Sequence, residues 1–205
     1  MRNSVERALA TDDSVERAFE SKDSVERALA TDDSLHLSFV VLGDTAVGKT
    51  SLIKQFLFQE FSEEYIPTIR EYYQTKMQYK KYYLRIDIED ISGLFTERSI
   101  LKNKSGYILV YDVDRMDSFE NISSYYEKIL DHNPIPNIIL CANKIEGPTR
   151  KISAKTGQQF AFRQGCEYIE TSAKLYNSVN PLWFCLINRC LPRKPKMQKF
   201  YCQII

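Results

Sequence analysis

Residues 43–50 read Gly43-Asp44-Thr45-Ala46-Val47-Gly48-Lys49-Thr50, a match to G-x-x-x-x-G-K-[ST]. They stand directly after the apolar run Leu35–Leu42 and before the amphipathic stretch Thr50–Phe61, so the motif falls at a strand-to-helix turn. Glycines let the backbone bend until successive N–H groups converge on an anion at a helix N-terminus. In that pattern Lys49 sets a point charge against the outer phosphates of a nucleotide, and Thr50 offers a hydroxyl to Mg²⁺. With average residue usage, a chance match in a chain of this length is on the order of one in a hundred.

The same alternation continues downstream. Apolar runs at Leu35–Leu42, Tyr82–Ile88, Tyr107–Val113, Asn137–Ala142 and Glu167–Ile169 are separated by amphipathic stretches at Thr50–Phe61, Asp117–His132, Ser153–Arg163 and Val179–Leu191. This predicts a mostly parallel sheet with helices on both faces. The polar and aromatic stretch Arg70–Lys80 turns quickly into Tyr82–Ile88, which predicts an antiparallel edge hairpin. Ligands of such sheets sit outside the carboxyl ends of the strands, where the motif at Gly43 falls.

Composition sets the bounds. The 205 residues are 43% hydrophobic and 27% charged, ordinary for a folded domain. Because 28 Lys+Arg nearly cancel 27 Asp+Glu, overall charge gives no argument for nucleic acid as a partner. Five cysteines without paired spacing and two histidines leave little for a zinc site, and a reducing intracellular setting is expected. Cys141, Cys166 and Cys185 read as core, and Cys190 as buried at the end of the last helix. The start MRNSVERALA has no apolar stretch of the kind a secretory leader needs. No run approaches the roughly 18 apolar residues of a spanning helix.

Over residues 35–191 the chain resembles the Ras-like small GTPases. The resemblance implies an α/β P-loop NTPase fold: a doubly wound, mostly parallel six-stranded sheet with about five helices. Phe61-Ser62-Glu63-Glu64-Tyr65-Ile66-Pro67-Thr68-Ile69 is similar to the first switch, with Thr68 placed 25 residues after Gly43. Thr68 would then give its hydroxyl to Mg²⁺ and its N–H to the γ-phosphate, and Phe61 would lie against the guanine ring. Asp90-Ile91-Ser92-Gly93, 47 residues after Gly43, is similar to the family's D-x-x-G. By that likeness Asp90 is the carboxylate behind Mg²⁺ and Gly93 a backbone donor to the γ-phosphate. Asn143-Lys144-Ile145-Glu146 stands where the family reads guanine with N-K-x-D. Glu170-Thr171-Ser172-Ala173-Lys174 resembles its E-T-S-A-K loop, in which the Ala173 N–H meets the base oxygen. The resemblance thus implies GTP and GDP with Mg²⁺ as ligands, and GTP hydrolysis resting on Lys49, Thr68, Gly93 and position 94. Effector proteins and an exchange factor would engage the switches, the former through Tyr65, Ile66, Pro67, Thr68, Ile69, Arg70, Glu71, Tyr72 and Tyr73.

Several positions depart from the family pattern. Where the family places a glutamine to orient the attacking water, this chain has Leu94, which has neither donor nor acceptor. Thr45 replaces a critical glycine, and its branched side chain would crowd an incoming arginine finger, worth about 10³–10⁵ in rate in Ras-type GTPases themselves. Slow hydrolysis and a poor response to an activating protein are expected. Only 16 residues separate Asp90 from Gly106, about four fewer than the resemblance leads one to expect, or one helical turn of the second switch. Glu146 keeps the guanine-reading carboxylate but adds a methylene; losing that charged hydrogen bond would cost about 1.5–3 kcal/mol. Guanine remains the expected base, since a carboxylate accepts both of its N–H groups. Arg70-Glu71 stands where Ras presents acidic residues, so a different effector set is expected. Two other readings stay open: a pseudo-GTPase binding module with little or no hydrolysis, and an ATP-using P-loop protein.

Both termini differ from the domain between them. Residues 1–34 hold three decamers, NSVERALATD, DSVERAFESK and DSVERALATD, with five basic and nine acidic side chains. They read either as an acidic, partly helical tail or as a partner-binding arm. Residues 192–205 hold four basic side chains and no acidic ones, and end in Cys202-Gln203-Ile204-Ile205, which fits C-a-a-X. A prenyl group on Cys202, with geranylgeranyl the better guess, and the polybasic segment would together hold an anionic membrane surface. The expected location is the cytoplasmic face of a membrane, the plasma membrane foremost.

Overall fold

The computed structural model describes residues 34–64, 66–92 and 98–192. The strands are β1 (Leu35–Leu42), β2 (Arg70–Tyr79), β3 (Tyr82–Ile91), β4 (Gly106–Asp112), β5 (Ile138–Asn143) and β6 (Glu167–Glu170). The helices are α1 (Lys49–Phe58), α2 (Met116–Glu120), α3 (Ile122–Leu130), α4 (Ala154–Gln164) and α5 (Tyr176–Cys190), with a 3₁₀ turn at Arg98–Leu101. All six strands form one sheet in the order β2-β3-β1-β4-β5-β6, and only β2 and β3 pair antiparallel. This is the Ras-like α/β fold.

Strand β1 shows how the layers arise. Its alternate residues Leu37, Phe39 and Val41 enter one buried cluster with Leu52, Trp183 and Leu186, under α1 and α5. Val40 and Leu42 enter the other, with Tyr111, Tyr125 and Ala161, under α3 and α4. A side-chain period of two does this in any strand covered on both faces. Every residue of β4 and β5 is buried, whereas β2 alternates between exposed and half-buried positions, as an edge strand must.

Chain order reverses across β1, which pairs with β3 on one side and β4 on the other; a crevice opens at such a point. Register sets Val41 beside Asp90, and Asp112 beside Asn143. The carboxyl ends of β1, β3, β4 and β5 therefore deliver Gly43, Asp90, Asp112 and Asn143 to one end of the sheet.

Three boundaries differ from the sequence reading. Helix α1 ends at Phe58, because Gln59 turns left-handed (φ 57°) and returns its N–H to the Gln55 carbonyl. The stretch read as one helix from Asp117 breaks at Asn121. Helix α5 starts at Tyr176 with Pro181 inside it, held by burial of Val179, Leu182, Trp183, Leu186 and Ile187. Of the cysteines read as core, Cys141 is fully buried, while Cys166 and Cys185 are half-buried at its margin. Cys190 is half-buried and donates to the Ser105 carbonyl.

Candidate functional site

Between β1 and α1 the chain makes the turn that the glycines permit. Gly43 has φ +149°, and a Cβ there would lie 2.1 Å from the Val110 carbonyl oxygen. Gly48 has φ +95°, and a Cβ there would lie 2.3 Å from Asn143 Nδ2. The loop is thus pressed against two strands and closed to larger residues. Val47 is fully buried, its side chain packed into the core. Lys49 Nζ curls back to the carbonyls of Gly43 (2.9 Å) and Asp44 (2.6 Å). Burial pushes the Lys49 ammonium below its ordinary pKa, opposed by the carboxylates of Asp90 and Asp44.

Three oxygens converge beside it. The Thr50 hydroxyl donates to Asp90 Oδ2 and lies 3.4 Å from Thr68 Oγ1. Asp90 is fully buried, and its Oδ1 has no hydrogen-bond partner among the described residues. Burial raises the Asp90 carboxyl pKa, against the Thr50 hydroxyl and Lys49. Two hydroxyls and one buried carboxylate with a free lone pair suit Mg²⁺, a hard cation that takes few protein oxygens and fills its shell with water and phosphate. Among the described residues no cluster of three or more His, Cys, Asp or Glu suggests another metal.

The loops after β5 and β6 meet the same loop from the other side. Asn143 is fully buried; its Nδ2 donates to the Val47 carbonyl (2.8 Å), and its Oδ1 accepts from Thr171 Oγ1 and the Ala173 N–H, each at 3.2 Å. Lys144, left-handed at φ 67°, reaches the Ala46 carbonyl (2.7 Å) and Asp112 Oδ2 (2.8 Å). Ile145 packs on the core, Glu146 is exposed, and Ser172 is buried. Lys174 lies over the Phe61 ring and pairs with Glu63.

Other expected positions are placed differently. Ile91 turns into the core, and the Ser92 N–H extends the β2–β3 ladder by donating to Ile69. In the effector stretch Ile66, Ile69 and Tyr72 are exposed. Arg70, which stands where Ras presents an acidic residue, pairs with buried Glu89 (2.9 Å), which also holds Lys104. Tyr65, Gly93, Leu94 and Cys202, and the decamers up to Asp33, lie outside the described residues.

Sequence reading missed four contributors. Asp112 pairs with Lys144, and Arg115 Nη1 donates to the Thr45 carbonyl (2.7 Å). The buried Asp44 carboxylate accepts from Asn121 Nδ2 (2.9 Å) and the Tyr125 hydroxyl (2.7 Å). The i, i+4 spacing of Asn121 and Tyr125 puts two donors on one helical face, the one signal that pointed to a buried acceptor.

Comparison with known proteins agrees with this geometry. A family model described as "Ras family" matches residues 38–191. The chain is similar to the Ras-related protein Rab7 of Cenchrus ciliaris, with 30% identity over 179 residues, 80% of this chain and 86% of that one. It is also similar to the Ras-like protein rasU of Dictyostelium discoideum, with 32% identity over 161 residues, 75% of each chain.

Proposed function

The chain belongs to the Ras family of small GTPases, and from that premise we propose a GTP-dependent switch that hydrolyses slowly, dwells in its GTP state and signals from a membrane. The observation carrying this reading is the meeting of Lys49, Thr50, Thr68 and Asp90 at one end of the sheet, beside Asn143 and Lys144.

Phosphates would lie in the loop from Gly43 to Thr50, with Lys49 turning from the loop carbonyls to the outer phosphates. Thr50, Thr68 and Asp90 would hold Mg²⁺, which supplies charge neutralisation at the β- and γ-oxygens. The base would sit between Phe61, Lys144 and Glu146, within reach of Ala173. The chain's chemistry is positioning and charge stabilisation for in-line attack by water, with no protein nucleophile. Loss of the γ-phosphate releases Thr68 and Gly93 and loosens both switches. Leu94 and Thr45 support the slow rate: one cannot align water, and the other crowds the approach of a finger.

The basic tail and Cys202 support an anchor on an anionic cytoplasmic membrane face, since one prenyl chain alone binds marginally. Four basic residues near such a surface add about 4 kcal/mol.

The test is the nucleotide extracted from freshly purified protein, followed by single-turnover hydrolysis. Mostly GTP with slow turnover is expected. Mostly GDP overturns the slow-switch reading. An empty site that stays empty with added GTP and Mg²⁺ favours the pseudo-GTPase reading, which Leu94 and Thr45 motivate.

A further inference from the structure

Five consecutive carbonyls of the phosphate loop accept hydrogen bonds from side chains. Lys49 serves Gly43 and Asp44, Arg115 serves Thr45, Lys144 serves Ala46, and Asn143 serves Val47. Lys49, Lys144 and Asn143 belong to the sequence motifs, and Arg115 belongs to none of them. It stands immediately before α2, and its Nη2 lies 2.9 Å from Asp117 Oδ2. The guanidinium is therefore fixed between a carboxylate of its own helix and a carbonyl of the loop.

A trans peptide is planar, with its C=O and N–H pointing in opposite directions. Holding the Thr45 carbonyl outward toward Arg115 aims the Ala46 N–H inward, where the loop's N–H groups gather round an anion. That orientation carries a conformational cost, because Ala46 sits at φ 61°, a left-handed value unfavourable for a residue with a Cβ. Turning the 45–46 peptide plane over would return Ala46 to negative φ and take its N–H out of the cradle. The Arg115 bond opposes that turn.

We infer that Arg115 is a positioning residue for the nucleotide's phosphates: by pinning the Thr45 carbonyl it keeps the Ala46 N–H as a phosphate donor. The inference rests on the reading of residues 43–50 as the phosphate site.

The experiment measures release of a fluorescent GDP analogue and the ³¹P spectrum of bound GDP, using the full chain. The proteins are wild type, Lys49→Met, Arg115→Ala, Arg115→Lys, Ala46→Gly, and Ala46→Gly with Arg115→Ala. Arg115→Ala is expected to speed release by roughly threefold to tenfold, as for loss of one hydrogen bond of ordinary net strength from an exposed donor, and to shift the phosphate resonances. Arg115→Lys, which keeps a donor, restores part of both. With Ala46→Gly the left-handed cost disappears, so removing Arg115 then changes release by less than about twofold. Unchanged release and resonances in Arg115→Ala, or equal acceleration with and without Ala46→Gly, overturns the inference. If wild type binds no GDP, or Lys49→Met binds as much as wild type, the phosphate-site reading falls first and takes the inference with it.

Discussion

Lys174 Nζ lies 2.6 Å from Glu63 Oε1 and 5.8 Å from the centre of the Phe61 ring, joining the loop after β6 to the segment after α1. Both charged groups are exposed, so the link is weak and screened by salt. Glu63→Ala is expected to speed nucleotide release by no more than about fivefold at low salt, with the difference shrinking at high salt. The hydrogen bond from Lys174, and secondarily its charge, hold the Glu63 carboxyl below its ordinary pKa. A depressed carboxylate contributes above the ordinary carboxylate range and loses its contribution as pH falls through the depressed value. Wild-type release should therefore approach that of Glu63→Ala on acidification. Stopped-flow release across pH and salt checks this, and identical rates throughout would remove the link from the account.

Leu94→Gln restores a group able to orient water. Single-turnover GTP hydrolysis should rise at least about tenfold, with GTP affinity nearly unchanged. An unaltered rate would move the cause of slow turnover to the shortened second switch.

Glu146→Asp removes one methylene from the residue proposed to read guanine. Tighter GDP binding and a larger preference for GTP over ATP, each by about tenfold, are expected. Competitive titration with the two nucleotides measures both. Unchanged selectivity would mean that the exposed Glu146 already meets the base.

Tyr125→Phe leaves the buried Asp44 carboxylate with Asn121 as its remaining side-chain donor among the described residues. A loss of about 1–3 kcal/mol in stability is expected, read from denaturant unfolding of the nucleotide-bound protein. Asn121→Ala should cost a similar amount. The two losses should not add, because the two groups serve the two oxygens of one carboxylate.

The strands were legible because period-two apolar runs are local, and β3 shows where that legibility ends. Alternation in the sequence stops at Ile88, yet the strand runs on through Glu89 and Asp90 to Ile91. Those two carboxylates are buried because Glu89 holds Arg70 and Lys104 while Asp90 takes the Thr50 hydroxyl. Their partners lie 15 to 40 positions away in sequence, so no window along the chain contains the compensation.

By itself, the sequence determined the α/β order of elements, the phosphate loop and the spacing of Thr68, Asp90, Asn143 and Ala173, because backbone freedom and side-chain chemistry are properties of short segments. The tertiary structure alone decided that Asp44 is satisfied by Asn121 and Tyr125, that Arg70 is paired to Glu89, and that Arg115 closes the set of donors around the loop. Those contacts depend on how strand register and helix docking bring distant residues within hydrogen-bond reach, and a side chain's role changes once its charge is buried and paired.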